Sequence, residues 1–366
     1  MLAYFKVENF KNFNALEFDF EKARNYEFNE NAVKDGIVKT SVVYGTNGSG
    51  KTNLGLALLD ISTTLIDKPP INISKYSYIP YLNLNDNMNA KFHYKFKFNL
   101  DYVEYFYEKS CPFNLISEKL LINNNEVVSY NHLKFKGETK LIGTENLVIP
   151  SKDFNIPFIK YINSNSALNY EDKNNSLFKK FIDFVDTMLL ITGFHKSFTN
   201  QGEGGNIDNI IIRANKLNKF QDFLKAVGIN YNLIIKEING EKKIFCKFGD
   251  KEADFWSVAS AGTKQLAVQF ILKEWIEIFS FYYLDEFDAF YHFKLSRDIV
   301  KTISEKQAQV VFTTHNTSLL NNDILRPDCY FILKDDKIKS LDSLTDKELR
   351  EAHNIEKMFR GDFFDE

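Results

Sequence analysis

Gly45-Thr46-Asn47-Gly48-Ser49-Gly50-Lys51-Thr52 follows the apolar, β-branched run Thr40-Ser41-Val42-Val43-Tyr44 and precedes Asn53-Leu54-Gly55-Leu56-Ala57-Leu58-Leu59. Strand, glycine-rich turn and helix form the context in which G-x-x-x-x-G-K-[ST] becomes a phosphate cradle. Gly45, Asn47, Gly48, Ser49 and Gly50 would turn backbone N–H groups toward a phosphate, and the helix starting near Gly50 adds the positive end of its dipole. Lys51 would reach the β- and γ-phosphates. The Thr52 hydroxyl is a candidate Mg²⁺ ligand, because that small hard cation takes oxygen ligands and shares them with substrate phosphate. A plain glycine-rich connection is the competing reading, and the fixed spacing within a strand-to-helix step favours nucleotide binding over it.

The 366 residues are 44% hydrophobic and 26% charged, enough for one large core or two modest ones. No apolar run approaches the ~18 residues of a membrane span; Met188-Leu189-Leu190-Ile191-Thr192-Gly193-Phe194 is too short. Met1 to Glu8 alternates like a strand and lacks the charged start and cleavage site of a signal peptide, so a cytoplasmic protein with no membrane contact is expected. Cys111, Cys246 and Cys329 form no C-x-x-C pair, which argues against a zinc site or a disulfide framework and reads as buried thiols. A formal charge of −3 gives no global attraction for nucleic acid, so any DNA contact would need a local patch.

Strands are expected from Leu2 to Glu8 and from Leu16 to Phe20, a polar loop over 24–39, and a helix from about Lys51 to Ile66 that stops before Pro69-Pro70. From Asn89 to about Val148 the pattern has period two, with Phe92, Tyr94, Phe96 and Phe98 alternating with Lys and His, which reads as an antiparallel meander. Such aromatic alternation suits either sheet packing or a stacking platform for single-stranded nucleic acid, and packing is the favoured reading. Leu177, Phe178, Phe181, Ile182, Phe184, Val185, Met188 and Leu189, then Phe220, Phe223, Leu224 and Val227, recur at helical spacing on either side of Gly202-Glu203-Gly204-Gly205. Asn239-Gly240 marks a hairpin between Leu233–Ile238 and Lys243–Phe248. Beyond it helix and strand alternate, with helices near Gly262–Phe279 and Phe293–Ser304 and strands near Ser280–Leu284, Gln309–Thr313 and Tyr330–Leu333. That pattern builds a parallel sheet covered by helices, so the nucleotide site must be assembled from both ends of the chain.

Phe281-Tyr282-Tyr283-Leu284-Asp285-Glu286 is an apolar run ending in two carboxylates. In a P-loop fold the strand beside the loop ends in an Asp that holds Mg²⁺, here Asp285, and Glu286 stands where a base would polarise water. Val311-Phe312-Thr313-Thr314-His315-Asn316-Thr317 is a second strand with a polar end, and His315 would reach a γ-phosphate or the attacking water. Ser260, before Ala261-Gly262-Thr263-Lys264, is either a helix N-cap or part of an anion site at a helix start.

A P-loop, a long insertion, a Ser-x-Gly helix start, Leu284-Asp285-Glu286 and a strand ending Thr-Thr-His occur in the order seen in ABC-type ATPases. The chain resembles their SMC/RecF-like branch, and more closely the ATPase subunits of anti-phage operons such as PARIS, Septu and AbiL-type systems. Phe5-Lys6-Val7-Glu8-Asn9-Phe10, Asp285-Glu286-Phe287-Asp288, Thr314-His315-Asn316-Thr317-Ser318-Leu319-Leu320 and Asn354-Ile355-Glu356-Lys357-Met358-Phe359-Arg360-Gly361 extend the resemblance over nearly the whole chain. It implies an α/β ABC-ATPase head with an antiparallel β-meander and a small helical lobe inserted between Walker A and the signature, without a long coiled coil. Residues 1–150 would be the N-terminal part of the ATPase lobe, 151–230 the helical lobe, and 231–366 the C-terminal part with signature, Walker B and switch histidine.

The resemblance further implies two copies sandwiching two ATP molecules with Mg²⁺. Gly45 to Thr52 of one copy would face Ser260 and Gly262 of the other, Asp285 would be the Walker B acid, Glu286 the catalytic base, His315 the switch histidine, and Asp288 part of the loop that crosses the interface. The expected function is an ATP-hydrolysing switch controlling a nuclease-like or toxin effector encoded nearby; the alternatives are an ATP-stabilised higher oligomer that stores an effector, and a RecF-like DNA-repair clamp. Three departures stand out. Ser260-Ala261-Gly262-Thr263 differs from the Leu-Ser-Gly-Gly-Gln of transporters, no glutamine precedes Gln201 to serve as the Q-loop ligand, and Phe290-Tyr291-His292-Phe293 stands where relatives often have Leu-His-Pro.

Overall fold

A computed structural model describes residues 1–21, 24–66, 80–83, 89–152, 154–192, 197–198, 205–238, 240–275, 278–289 and 293–364. Pro69-Pro70, Gly202-Glu203-Gly204, Asn239 and Phe290-Tyr291-His292 lie outside the described residues. Among those described, no helix is long and apolar enough to cross a membrane, and the segment between Thr52 and Ser260 carries only short helices, such as Lys173–Asp186 and Leu217–Ala226.

The period-two segment and the chain start form one seven-stranded antiparallel sheet, in the order Lys136–Thr139, Asn125–Asn131, Asn114–Ile122, Asp101–Cys111, Ala90–Phe98, Leu2–Phe10, Phe13–Asp19. Alternation sets its faces: Phe92, Tyr94 and Phe96 are buried, while Lys91, His93 and Lys95 point away. Phe92 stacks on Tyr107 at 4.8 Å, and Phe96 meets the helix residues Phe181 and Phe184, each at 5.3 Å. On the outward face Phe106 is flanked by its cross-strand neighbours, His93 stacked at 4.0 Å and Lys119 Nζ 4.9 Å from the ring centre. The aromatic alternation therefore serves packing within the sheet and against helices.

The second sheet runs Met188–Thr192, Phe281–Asp285, Gln309–Thr314, Thr40–Tyr44, Tyr330–Lys334, Lys337–Ser340; neighbours are parallel except for the last pair. Every residue of its three central strands is buried, as strands covered on both faces require. The strand of Asp285 is not directly beside the P-loop strand, as the sequence pattern suggested. Gln309–Thr314 lies between them, and Thr314 pairs with Tyr44 as Leu284 pairs with Phe312, so all three strands end at one edge. The two sheets are joined by a buried amide: Gln309 Oε1 accepts from Leu2 N–H at 2.8 Å and Gln309 Nε2 donates to Leu2 O at 2.9 Å.

Several segments depart from their sequence reading. Met188 and Leu189 were expected to continue the helix Lys173–Asp186, but that helix ends at Asp186 and Met188–Thr192 is an edge strand of the parallel sheet, so residues 151–230 supply a sheet strand as well as helices. A short apolar run fits a helix face and a buried strand equally well, and pairing with Phe281–Asp285 decides it. Residues 24–39 are not all loop: Val33–Lys34 and Ile37–Val38 pair as a small hairpin. Lys251–Asp254 adds an unforeseen third strand to the 232–248 hairpin.

The P-loop helix also differs, running from Lys51 to Leu58, turning at Leu59 and restarting as Asp60–Leu65. Asp60 explains the break. Its buried carboxylate accepts from Tyr107 at 2.8 Å, Lys109 at 2.8 Å and Tyr81 at 3.0 Å, drawing the chain toward the antiparallel sheet. Lys109 and Asp60 are a buried ion pair, and removing one partner of such a pair leaves an uncompensated charge. Lys109→Met is expected to lower unfolding free energy by about 3 kcal/mol in denaturant titration; a loss below about 1 kcal/mol would mean that the tyrosines suffice.

Candidate functional site

The phosphate loop needs its glycines for separate reasons. Gly48 and Gly50 have φ of 80° and 100°, where side chains are strained, and a Cβ on Gly50 would lie 2.6 Å from Asn12 Nδ2 and 2.9 Å from the Phe13 ring. A Cβ on Gly45 would meet Ser49 Oγ at 2.4 Å. Thr46 and Asn47 are exposed at the loop tip. Ser49 Oγ is buried without a partner among the described residues. The helix begins at Lys51, so its first N–H groups have no preceding turn to bond and face the loop's hollow.

Lys51 folds over that hollow. Its Nζ donates to Gly45 O at 2.9 Å and Thr46 O at 3.1 Å, and burial lowers its pKa below the ordinary lysine value while Glu286 and Asp285 act to raise it. Carbonyl oxygens are weaker partners for a partly buried ammonium than phosphate oxygens, so the lysine has reason to exchange them. Beneath it the Tyr283 hydroxyl donates to Lys51 O, and Gly55 leaves room for the Tyr283 ring, whose Cε1 would lie 2.5 Å from an added Cβ.

Thr52 Oγ1 donates to Asp285 Oδ2 at 2.7 Å, bringing together the two residues read as metal ligands, 233 positions apart in sequence. Asp285 Oδ1 accepts from Thr313 Oγ1 at 2.8 Å, and the same hydroxyl accepts from Glu286 N–H at 2.7 Å. Glu286 has φ of 46°, unusual for a side-chain-bearing residue. It follows Asp285 where the strand leaves the sheet, half-buried and within electrostatic reach of Lys51 and His315. His315 is exposed as a residue; partial desolvation of its ring, then the Lys51 charge, lower its pKa below the ordinary histidine value.

Asp288 Oδ1 accepts from Thr314 Oγ1 at 2.6 Å, while its Oδ2 is buried without a partner among the described residues. Burial raises the Asp288 pKa, against the opposing effect of Thr314 and Asn316. Ser260 is exposed and caps the helix Ala261–Trp275, its Oγ accepting from Thr263 N–H at 3.2 Å and lying 2.9 Å from Thr263 Oγ1. Gly262, half-buried, is in the first turn of that helix. No hydrogen bond joins Ser260 or Gly262 to the phosphate loop of the same chain among the described residues. His292 lies outside the described residues.

Lys51, Thr52, Asp285, Glu286 and His315 are thus gathered at the ends of three adjacent strands, with Asp288 just behind them. Two further residues belong to the same edge. Thr313 carries a sequence signal, as the first hydroxyl of Thr313-Thr314-His315. Asn12, whose Oδ1 accepts from Asn53 Nδ2 at 2.6 Å, sits in the turn between the first two strands, and nothing in its spacing links it to the phosphate loop.

Among the described residues no three His, Cys, Asp or Glu side chains gather into a metal cage. Mg²⁺ at Thr52 and Asp285 would draw its other ligands from phosphate oxygens and water, as that ion usually does.

A family model described as "AAA domain, putative AbiEii toxin, Type IV TA system" matches residues 41–321, more than half of the chain. No curated protein matches. Among solved structures, the SMC head domain from Thermotoga maritima is similar at 15% identity, covering 93% of this chain and 99% of that one, with a TM-score of 0.44. The Smc head domain with an extended coiled coil from Pyrococcus furiosus, bound to the C-terminal domain of ScpA, matches at 14% identity over 93% and 97%, with a TM-score of 0.46. The recombination mediator protein RecF with ATP matches at 15% identity over 93% and 99%, with a TM-score of 0.43.

Proposed function

Because the chain belongs to this AAA-domain family, we propose that it is an ATP-hydrolysing switch that closes as a homodimer around ATP, opens on hydrolysis, and thereby controls a partner effector in anti-phage defence. One observation carries the reading: Thr52 Oγ1 and Asp285 Oδ2 meet at 2.7 Å at the mouth of the phosphate loop, with Glu286 next in the chain. Mg²⁺ held by Thr52 and Asp285 would offset the negative charge of the β- and γ-phosphates. Lys51 exchanges loop carbonyls for phosphate oxygens, Glu286 accepts a proton from the attacking water, and His315 hydrogen-bonds near the γ-phosphate.

The dimer is supported by what Ser260 leaves undone. Its hydroxyl is exposed at the start of a 15-residue helix and, among the described residues, bonded only locally, which suits a group meant for a second copy's γ-phosphate. The buried, half-paired Asp288 carboxylate suits a loop completed at an interface. The family description carries the name of a putative AbiEii toxin of a Type IV TA system, and we take the effector to be a nuclease-like or toxic protein acting in the cytoplasm.

The test is ATPase activity against protein concentration, with particle mass followed by light scattering. Specific activity should rise with concentration, and ATP should double the particle mass. A rate per chain independent of concentration, from a particle that stays monomeric, would remove the dimer from the mechanism. Added DNA should leave the rate unchanged at low salt; stimulation that falls steeply with salt would favour the DNA-clamp reading.

A further inference from the structure

Where the strand Phe281–Asp285 leaves the parallel sheet, its last pair with Gln309–Thr314 is Leu284 with Phe312. One step further the backbone ladder is replaced by a side chain. Glu286 N–H donates to Thr313 Oγ1 at 2.7 Å, and that hydroxyl donates to Asp285 Oδ1 at 2.8 Å. Phe287 N–H returns to the Thr313 backbone carbonyl at 3.3 Å. Three consecutive residues are therefore held by Thr313, which is fully buried.

The polarity of this junction is dictated. A carboxylate only accepts and a backbone N–H only donates, so the group between them must do both. A hydroxyl has one proton for Asp285 and a lone pair for Glu286. Valine matches threonine in shape and offers neither. The junction also holds Glu286 at a φ of 46°, a conformation that persists only when its surroundings impose it.

We propose that Thr313 is a positioning residue for ATP hydrolysis, a single hydroxyl that sets the carboxylate on the metal side and the backbone of the base on the water side in one geometry. The inference rests on the ATPase reading above. Thr313 acts through Asp285 and Glu286, the two residues its hydroxyl binds. The neighbouring Thr314 donates its hydroxyl to Asp288 Oδ1, so the Thr-Thr pair also reaches the far end of the acid loop.

The test compares Thr313→Val and Thr313→Ser in the full chain. Thr313→Val should lower kcat at least about tenfold, because a displaced general base forfeits much of the roughly 10²–10⁴-fold that such a group supplies. Affinity for a fluorescent ATP analogue without Mg²⁺ should stay within about twofold, since the phosphate loop is untouched. Hydrogen exchange of the peptide covering 284–288 should quicken in Thr313→Val, because the Glu286 amide loses its acceptor. Thr313→Ser should recover both kcat and protection to within about threefold, as it keeps the hydroxyl.

A Thr313→Val enzyme with parental kcat, or a Thr313→Ser enzyme as impaired as Thr313→Val, would overturn the proposal; so would a parallel loss of nucleotide affinity, which would point to general loosening. If the parental chain hydrolyses no ATP, the ATPase reading fails. The exchange comparison still decides whether the Thr313 hydroxyl organises the acid loop.

Discussion

Lys51→Ala is expected to abolish ATP binding in the micromolar range, read by a fluorescent nucleotide or by calorimetry. Lys51 is the cation folded into the phosphate loop, held on Gly45 and Thr46 carbonyls that it can exchange for phosphate oxygens. A unit charge about 4 Å from another, at the effective dielectric of a protein surface, interacts by about 4 kcal/mol. Alanine forfeits that attraction, and even after the cost of leaving the carbonyls about 3 kcal/mol should remain, roughly a hundredfold in affinity. Binding within threefold of the parent would mean that nucleotide sits elsewhere.

Glu286→Gln has the second large effect, on turnover alone. Glutamine keeps the size of the side chain and the backbone geometry at φ 46°, and the Glu286 N–H still reaches Thr313 Oγ1. It cannot accept a proton from water, so hydrolysis should fall by about 10²–10⁴-fold. ATP should still bind, because Lys51, Thr52 and Asp285 are unchanged. The variant should therefore accumulate in the ATP-bound, paired state, visible as doubled mass that persists after free nucleotide is removed. Hydrolysis at the parental rate would move the base assignment to another residue.

Much of this site could be read from the chain because its signals are local. Gly48, Gly50, Lys51 and Thr52 are fixed by the backbone demands of one tight turn, and Asp285-Glu286 ends a run whose complete burial shows as unbroken hydrophobicity. The antiparallel meander follows from a period of two, and the parallel sheet from the alternation of helix and strand. Less legible was whatever depended on contacts distant in sequence. Met188–Thr192 became a strand because Phe281–Asp285 offered it a ladder, and the helix after the phosphate loop broke at Leu59 because Asp60 found donors near residues 81 and 107. The place of Gln309–Thr314 between the phosphate-loop strand and the acid strand has no local signature. It explains why Thr313 can serve the acids.

The position of Thr40–Tyr44 also has a consequence for biosynthesis. Its ladder partners are Val310–Thr314 on one side and Tyr330–Ile332 on the other, so a strand made early waits for two made late. Such distant pairing is slow to form and cannot begin while the partners are still unsynthesised. On the ribosome, the phosphate loop therefore stays without its sheet until the chain has grown past residue 332. A prematurely terminated chain would carry the full Gly-Lys-Thr signature and lack the support that shapes it. Nucleotide binding is therefore expected only once residues up to 332 have been made and paired with Thr40–Tyr44.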